Sequence, residues 1–444
     1  MSTPRNPDTP VVVTETEAKK VAFAAFVGTA LEWYDYFLYG TAAAVVFNTL
    51  YFVTDDPLVS TLAAFASFAV GFLARPVGAM LFGHLGDRIG RRKTLIITVT
   101  MIGIATGAIG FVPDFAAIGV AAPALLTGLR LLQGVAVGGE WGGAVTLAVE
   151  HAPPEHRGRY AALPQIGSPI GTLLSSGAFL AVSQLPQDSF ESWGWRLPFL
   201  AAFPLLYVAV YLRRRVEESP LFERLLAEDQ RASAPVKEVL QHAFPQLMVG
   251  AGSAFLGVGG FYLATTFMIS YGTGTLGMEE SVLLGATLLA AAVEIGVLIV
   301  GGRMAERYGA GQVTVVGGVL AALCAFPTFW LVDTTNTVAV FAGITLVVAC
   351  LSVAYAVSGY LLTTLFPAAL RYSGTSLAYQ LSGVAAGFVP FAATAALAAS
   401  NEQSWSPALM LIGIAAITAI CGAIAPRIAL GRDPVKSAEE TTAR

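Results

Sequence analysis

The chain of 444 residues is 55% hydrophobic and only 12% charged, with a mean hydropathy of +0.69. Average soluble domains carry about 25% charged residues, so a water-soluble fold, which could not hide this much apolar surface, is excluded. The net charge of -4 says little about partners, and no nucleic-acid partner is expected.

Residues 1–18 are polar and rich in Pro and Thr, and the first apolar run holds Glu32 and Asp35, so a cleaved signal peptide is not expected. Apolar runs lie near 20–47, 58–83, 94–112, 117–150, 160–183 and 195–212. After a polar gap come six more, near 246–271, 282–301, 313–332, 338–365, 375–399 and 406–426. Each can cross a hydrocarbon core about 30 Å thick. Backbone groups in lipid must be paired within the segment, and runs of this length suit helices rather than barrel strands of about 10 residues. The expected fold class is an all-α membrane protein with twelve transmembrane helices. Cys324, Cys350 and Cys421 fall inside apolar runs without metal-site spacing and read as packing residues.

Alternate connections differ in sign. One set holds Arg88, Arg91, Arg92, Lys93, Arg157, Arg159, the arginines from Arg213 to Arg231, Lys237, Arg303, Arg307 and Arg371; the other carries acids and no Lys or Arg. The positive-inside rule makes the basic side and both termini cytoplasmic. The division expected is a tail at 1–19, a six-helix lobe at 20–212, a cytoplasmic linker at 213–245, a second lobe at 246–426 and a tail at 427–444. Gly83-His-Leu-Gly-Asp87-Arg88-Ile-Gly90 is echoed by Gly302-Arg-Met-Ala-Glu306-Arg307-Tyr-Gly309, 219 residues on, as in duplicated two-lobed transporters.

Several charges fall inside the spans: Arg75, Arg130 and Arg196, and the acids Glu32, Asp35, Glu140 and Glu294. Each costs about 2.5–3.5 kcal/mol at a helix centre, so each should face a cavity or a partner. Glu32 and Asp35, three residues apart, share a helix face where mutual repulsion and partial burial favour a bound proton; with Glu140 they are the proton-coupling candidates. Arg130 could grip a substrate carboxylate with a bidentate fork. Gln133, Trp33, Tyr36, Tyr262, Tyr355, Tyr379 and Gln380 are grouped with it as substrate-site candidates. Aromatic rings at 33, 34 and 36 could equally cradle a quaternary amine. Arg75, Arg196 and Glu294 are expected to take part in intramembrane charge pairing, with Arg196 also anchoring among Trp193 and Trp195 at the interface. Gly134, Gly138 and Gly142 form a small-residue row suited to close helix packing.

GHLGDRIGRR at Gly83–Arg92 resembles the loop between helices two and three of the major facilitator superfamily. Glu32-Trp-Tyr-Asp-Tyr36, the stretch Gln133–Gly143 and Trp193-Gly-Trp-Arg-Leu-Pro-Phe199 resemble its metabolite:proton symporter branch, which includes shikimate, alpha-ketoglutarate and proline-betaine transporters. The resemblance implies two six-helix pseudo-symmetric lobes working by alternating access, uptake of an organic acid or zwitterion, protons as coupling ion and no other cofactor. It also implies a latch in which Asp87 caps a helix end and Arg91 pairs with Glu150, with Arg88 and Arg157 beside them as gating residues.

A monomer in a bacterial inner membrane is expected, with a small-molecule substrate and the bilayer as partners. Gly167-Ser-Pro169-Ile-Gly171 partly resembles a motif of proton-coupled exporters and keeps export open as the alternative. A transporter-like sensor would need a sizeable soluble appendage, and an enzyme would need a nucleophile, metal cluster or nucleotide loop; His84, His151, His156 and His242 are dispersed without ligand spacing.

Overall fold

A chain that must satisfy its own backbone in lipid has little choice but to coil, and every apolar run becomes helical. The structure, a computed structural model, describes residues 15–89, 91–138, 140–150, 152, 154–214, 235–367 and 370–430. The transmembrane elements are α1 (Glu15–Ala42, prolonged by a π-turn at Ala43–Phe47), α2 (Pro57–Phe82), α3 (Arg91–Ile109), α4 (Ala121–Gly142, running on to Glu150), α5 (Arg157–Val182) and α6 (Gln187–Tyr211). The second six are α7 (Phe244–Thr275), α8 (Glu280–Tyr308), α9 (Ala310–Asp333), α10 (Thr337–Leu365), α11 (Ser373–Ala399) and α12 (Trp405–Ile428). Among the described residues there is no strand.

Helix starts follow local chemistry. Asp56 accepts from Leu58 N at 2.8 Å before Pro57 opens α2, and Asn336 accepts from Val338 N and Ala339 N ahead of α10, each satisfying donors that an N-terminus leaves open. At the outer end of α3, Arg196 donates to the carbonyls of Gly110 and Val112 at 3.2 and 2.6 Å, filling acceptors that a C-terminus leaves open. Interruptions are as informative. α2 turns at Ala74 ahead of Arg75-Pro76, as residues near proline tend to do, and α7 contains π-segments at Leu256–Gly260, Leu263–Phe267 and Tyr271–Thr275. Such bulges disturb regular side-chain spacing and recur at functional sites.

Within the first half α1 packs on α5, α2 on α4 and α3 on α6; in the second, α9 lies between α10 and α12 while α7 packs on α11 and α12. The halves meet through α2 with α11 and α5 with α8, equivalent pairs in a six-helix repeat, and through α4 with α11, α5 with α10 and α1 with α7. α2 and α4 pack backbone to backbone. A Cβ on Gly134 would collide with the Gly71 carbonyl, and one on Gly138 with the Arg75 carbonyl and Ala79 N. Gly142, next in the row, faces Ser376 of α11 instead.

Gly134→Val is therefore expected to destabilise the protein by about 1–3 kcal/mol and to lower the melting temperature of the detergent-purified chain. Gly128→Ala, where a Cβ meets nothing within 4 Å, should not; equal behaviour of the two variants would disprove the contact.

Candidate functional site

Asp35 points from α1 into the interior of the first half, where it is 1% exposed. Three groups surround its carboxylate. Thr106 Oγ1 of α3 and Gln133 Nε2 of α4 each donate to Oδ1 at 2.5 Å, and Arg130 Nη1 lies 3.4 Å from Oδ2. Gln133 and Arg130, three residues apart on one face of α4, also join each other at 3.3 Å. Arg130 Nε donates to the Phe68 carbonyl at 3.4 Å, and its guanidinium stands 4.5 Å from the Tyr39 ring centre and 5.0 Å from that of Phe68. Gly71 makes room for this: a Cβ there would lie 2.7 Å from Arg130 Nε. A buried pair held this fully is tolerable, whereas either ion alone would be strongly unfavourable.

Glu32, one turn earlier on α1, looks toward the second half. Its Oε1 accepts from Tyr36 Oη at 2.9 Å, while Oε2 has no partner among the described residues. Arg75 of α2 lies over the rings of Phe72 and Tyr36, at 3.7 and 4.2 Å from their centres. Its Nη1 reaches across to α11, where a Cβ on Gly383 would lie 3.1 Å away. From the second half Tyr262 packs on Phe72, Phe68 and Trp33, and Tyr355 meets Trp33 edge to face at 6.0 Å. Tyr379 lies in the field of Glu32, Arg75 and Tyr262. Around this aromatic cluster between the halves, called the chamber below, six buried polar atoms lack a partner among the described residues: Glu32 Oε2, Trp33 Nε1 and Arg75 Nη2 from the first half, and Tyr262 Oη, Tyr355 Oη and Gln380 Oε1 from the second. Tyr262 Oη stands beside Arg75 without hydrogen-bond geometry to it.

Below the chamber the halves are clasped. The rings of Trp141 and Tyr379 stack at 3.6 Å, Trp141 Nε1 donates to Gln165 Oε1 at 3.1 Å, and Gln165 Nε2 donates to Ser358 Oγ at 2.8 Å. Gln380 Nε2 donates to the Gly138 carbonyl at 3.0 Å. At the cytoplasmic rim Arg159 Nε meets Glu306 Oε2 at 2.9 Å, with the Arg159 side chain 49% exposed. A separate small cavity between α1, α3 and α6 is lined by Glu32, Asp35 and Glu140 together with Thr106.

The structure distributes the candidate residues unevenly. Arg130 and Gln133, grouped as substrate-site candidates, are both engaged with Asp35 inside the first half. Arg75, Arg196 and Glu294 were expected to pair with opposite charges, and among the described residues none does. Arg75 lies on rings, Arg196 binds backbone carbonyls, and both oxygens of Glu294 are unpartnered. Trp33, Tyr36, Tyr262, Tyr355, Tyr379 and Gln380 do come together. Arg157 opens α5, whereas the side chains of Asp87, Arg88, Arg91 and Glu150 lie outside the described residues, as do most of the linker and both tails. Thr106, Phe68, Phe72, Trp141, Gln165, Arg159 and Glu306 went unassigned. Glu306 carried a signal in the repeated loop motif and Gln165 as a lone amide in an apolar helix; Thr106 and Phe68 carried none. The exporter-like fragment packs α5 on α1, where Cβ atoms on Gly167 and Gly171 would crowd the α1 backbone.

A sequence model of the Major Facilitator Superfamily matches residues 25–390. The shikimate transporter of Escherichia coli K12 is 37% identical over 416 residues, covering 91% of this chain and 94% of that one. The glycine betaine/proline/ectoine/pipecolic acid transporter OusA of Dickeya dadantii is 34% identical over 428 residues, covering 94% and 84%. Among solved structures, the proton:xylose symporter XylE bound to 6-bromo-6-deoxy-D-glucose superposes with a TM-score of 0.72 at 15% identity, covering 94% of this chain and 96% of that one.

Removing one ion of the buried pair should be worse than removing both charges. Arg130→Gln is expected to cost about 3–5 kcal/mol, seen as a lower melting temperature, and Asp35→Asn in the same chain should recover much of it. A double variant no more stable than the single one would refute the pairing.

Proposed function

The chain belongs to the Major Facilitator Superfamily, a multi-pass membrane transporter and not an enzyme, and on that premise we propose that it takes up a small organic acid or zwitterion across the bacterial inner membrane by proton symport. Support comes chiefly from the chamber, where six unpartnered polar atoms contributed by both halves converge on one space. An unmade hydrogen bond costs about 1–3 kcal/mol per buried group, and such a concentration marks a place built for a polar guest.

Arg75 is the chamber's cation. Its free Nη2, with the Tyr262 hydroxyl beside the guanidinium, suits a carboxylate better than a neutral sugar. Shikimate, proline, betaine, ectoine and pipecolic acid, the compounds named for the two relatives, all carry one. Glu32 Oε2 and the faces of Trp33 and Tyr36 then face the other end of the guest, where they favour a hydroxyl or a cationic nitrogen.

Protons enter the cycle at Asp35. When the carboxyl takes a proton, its attraction for Arg130 falls and the grip of Thr106 and Gln133 changes from charged to neutral. α1 carries both Asp35 and the chamber residues Glu32, Trp33 and Tyr36, so loading at one place alters the shape of the other. Glu140 shares the side cavity with both acids and serves as a relay between water and the pair. The cytoplasmic clasp is weak enough to reverse: an exposed pair such as Arg159–Glu306 is worth about 0–1 kcal/mol. Alternating access needs two states of similar energy. One chain supplies both halves of the path, so a monomer suffices, with protons as the coupling ion and no further cofactor.

Two outcomes are expected. Asp35→Asn should abolish pH-driven accumulation while sparing exchange of labelled for unlabelled substrate; unchanged accumulation would remove Asp35 from the mechanism, and accumulation in inverted but not right-side-out vesicles would mean export. In a thermal-shift screen of dicarboxylates, aromatic acids and betaines, Arg75→Gln should weaken carboxylate ligands about 10–100-fold, the loss of a charge-assisted contact worth roughly 1.5–3 kcal/mol. Equal affinity in both proteins would move the carboxylate elsewhere.

A further inference from the structure

Glu294 lies midway along α8, 0% exposed, and neither carboxyl oxygen has a hydrogen-bond partner or a cation among the described residues. Its position is not arbitrary. The loop motif starting at Gly83 recurs at Gly302, and Glu294 precedes the second copy by the same eight residues that separate Arg75 from the first. Glu294 is thus the repeat equivalent of the chamber's arginine, on the helix equivalent to α2. Ser352 of α10 is its polar neighbour, although that hydroxyl donates to the Val348 carbonyl at 2.6 Å. Tyr355, one turn further on α10, feels the Glu294 carboxyl and carries its own unpartnered hydroxyl into the chamber beside Trp33 and Tyr379.

We propose that Glu294 is a second proton-binding group of the carrier, in the half opposite to Asp35 and joined to the chamber through Tyr355. An ionised carboxylate at this depth without a partner costs several kcal/mol, and a neutral acid costs far less. Among the described residues, no cation of the elements packed against α8 lies at the depth of Glu294. α9 brings Cys324 and Asp333; α10 brings Cys350, Tyr355 and Tyr360; α5 brings Arg157, Arg159 and Tyr160 at its cytoplasmic end, Arg159 being joined to Glu306; α7 brings Tyr271, which donates to Asp333 at 2.7 Å. On α8 itself the nearest charges are Arg303 and Glu280, nine and fourteen residues away, about 13 and 21 Å along the axis. A side chain that makes no hydrogen bond contributes nothing to packing that leucine or glutamine could not, so the acid's distinguishing property is its exchangeable proton. Water admitted beside Tyr355 during the cycle would let the carboxyl release that proton to the chamber side.

This inference rests on the proton-coupled reading, but its test does not need the substrate. Infrared spectra of the purified full-length protein in nanodiscs, without added ligand, should contain the carbonyl stretch of a protonated carboxylic acid that shifts in heavy water and disappears in Glu294→Gln. Glu294→Asp, which keeps an acid, should retain a displaced band and serves if the glutamine variant does not fold. A spectrum in which neither variant alters an acid band means that Glu294 is ionised and overturns the assignment. Asp35→Asn should leave this band in place, so failure at Glu294 and failure of the Asp35 mechanism are read separately.

Discussion

The whole architecture answers to one rule: an ion at membrane depth must be held by the protein or exposed to water. The Asp35–Arg130 pair obeys it by collecting Thr106, Gln133, the Phe68 carbonyl and the Tyr39 ring around two opposite charges. Those contacts fix the relative positions of α1, α3, α4 and α2, so the charged pair organises the first half as much as any apolar cluster. Arg75 obeys the rule differently, by lying on aromatic faces and leaving one nitrogen free. A cation resting on rings, with Glu32 in its field and one nitrogen unpartnered, keeps capacity for an anion, whereas Arg130 is engaged with Asp35.

The fold was legible in the sequence because hydrophobic length and the sign of the connections are properties of single segments. The run at 338–365 and the helix Thr337–Leu365 differ by one residue. The site was legible only in outline. Intramembrane charge identified Glu32, Asp35, Arg75 and Arg130 as residues that need company, but which company depends on helices far apart in the chain. Sequence assigns Arg130 to a substrate and Arg75 to charge pairing; in the structure Thr106 on α3 and the bare backbone at Gly71 frame Arg130 against Asp35, while Arg75 reaches Gly383 on α11 at the interface. The π-segments of α7 that flank Tyr262 are invisible to any pattern with a fixed period.

The duplicated halves also use equivalent positions unequally. Motif for motif, Asp87 corresponds to Glu306 and Arg75 to Glu294. In the second half Glu306 closes a clasp with Arg159 of the first, so a loop element within one repeat has become a tie between the two. A pseudo-symmetric frame supplies two similar states, and broken symmetry in the side chains gives each surface a separate task.

The Asp35 cluster is composed entirely of first-half residues, while Tyr262, Tyr355, Tyr379 and Gln380 on the other wall of the chamber belong to the second. If the proposed reading holds, one proton site lies wholly within the first half while the guest touches both. A hybrid carrier joined at the polar gap near residue 213 would then keep the Asp35 cluster of one parent intact and assemble its chamber from two, so that cargo is the property such a swap exposes first.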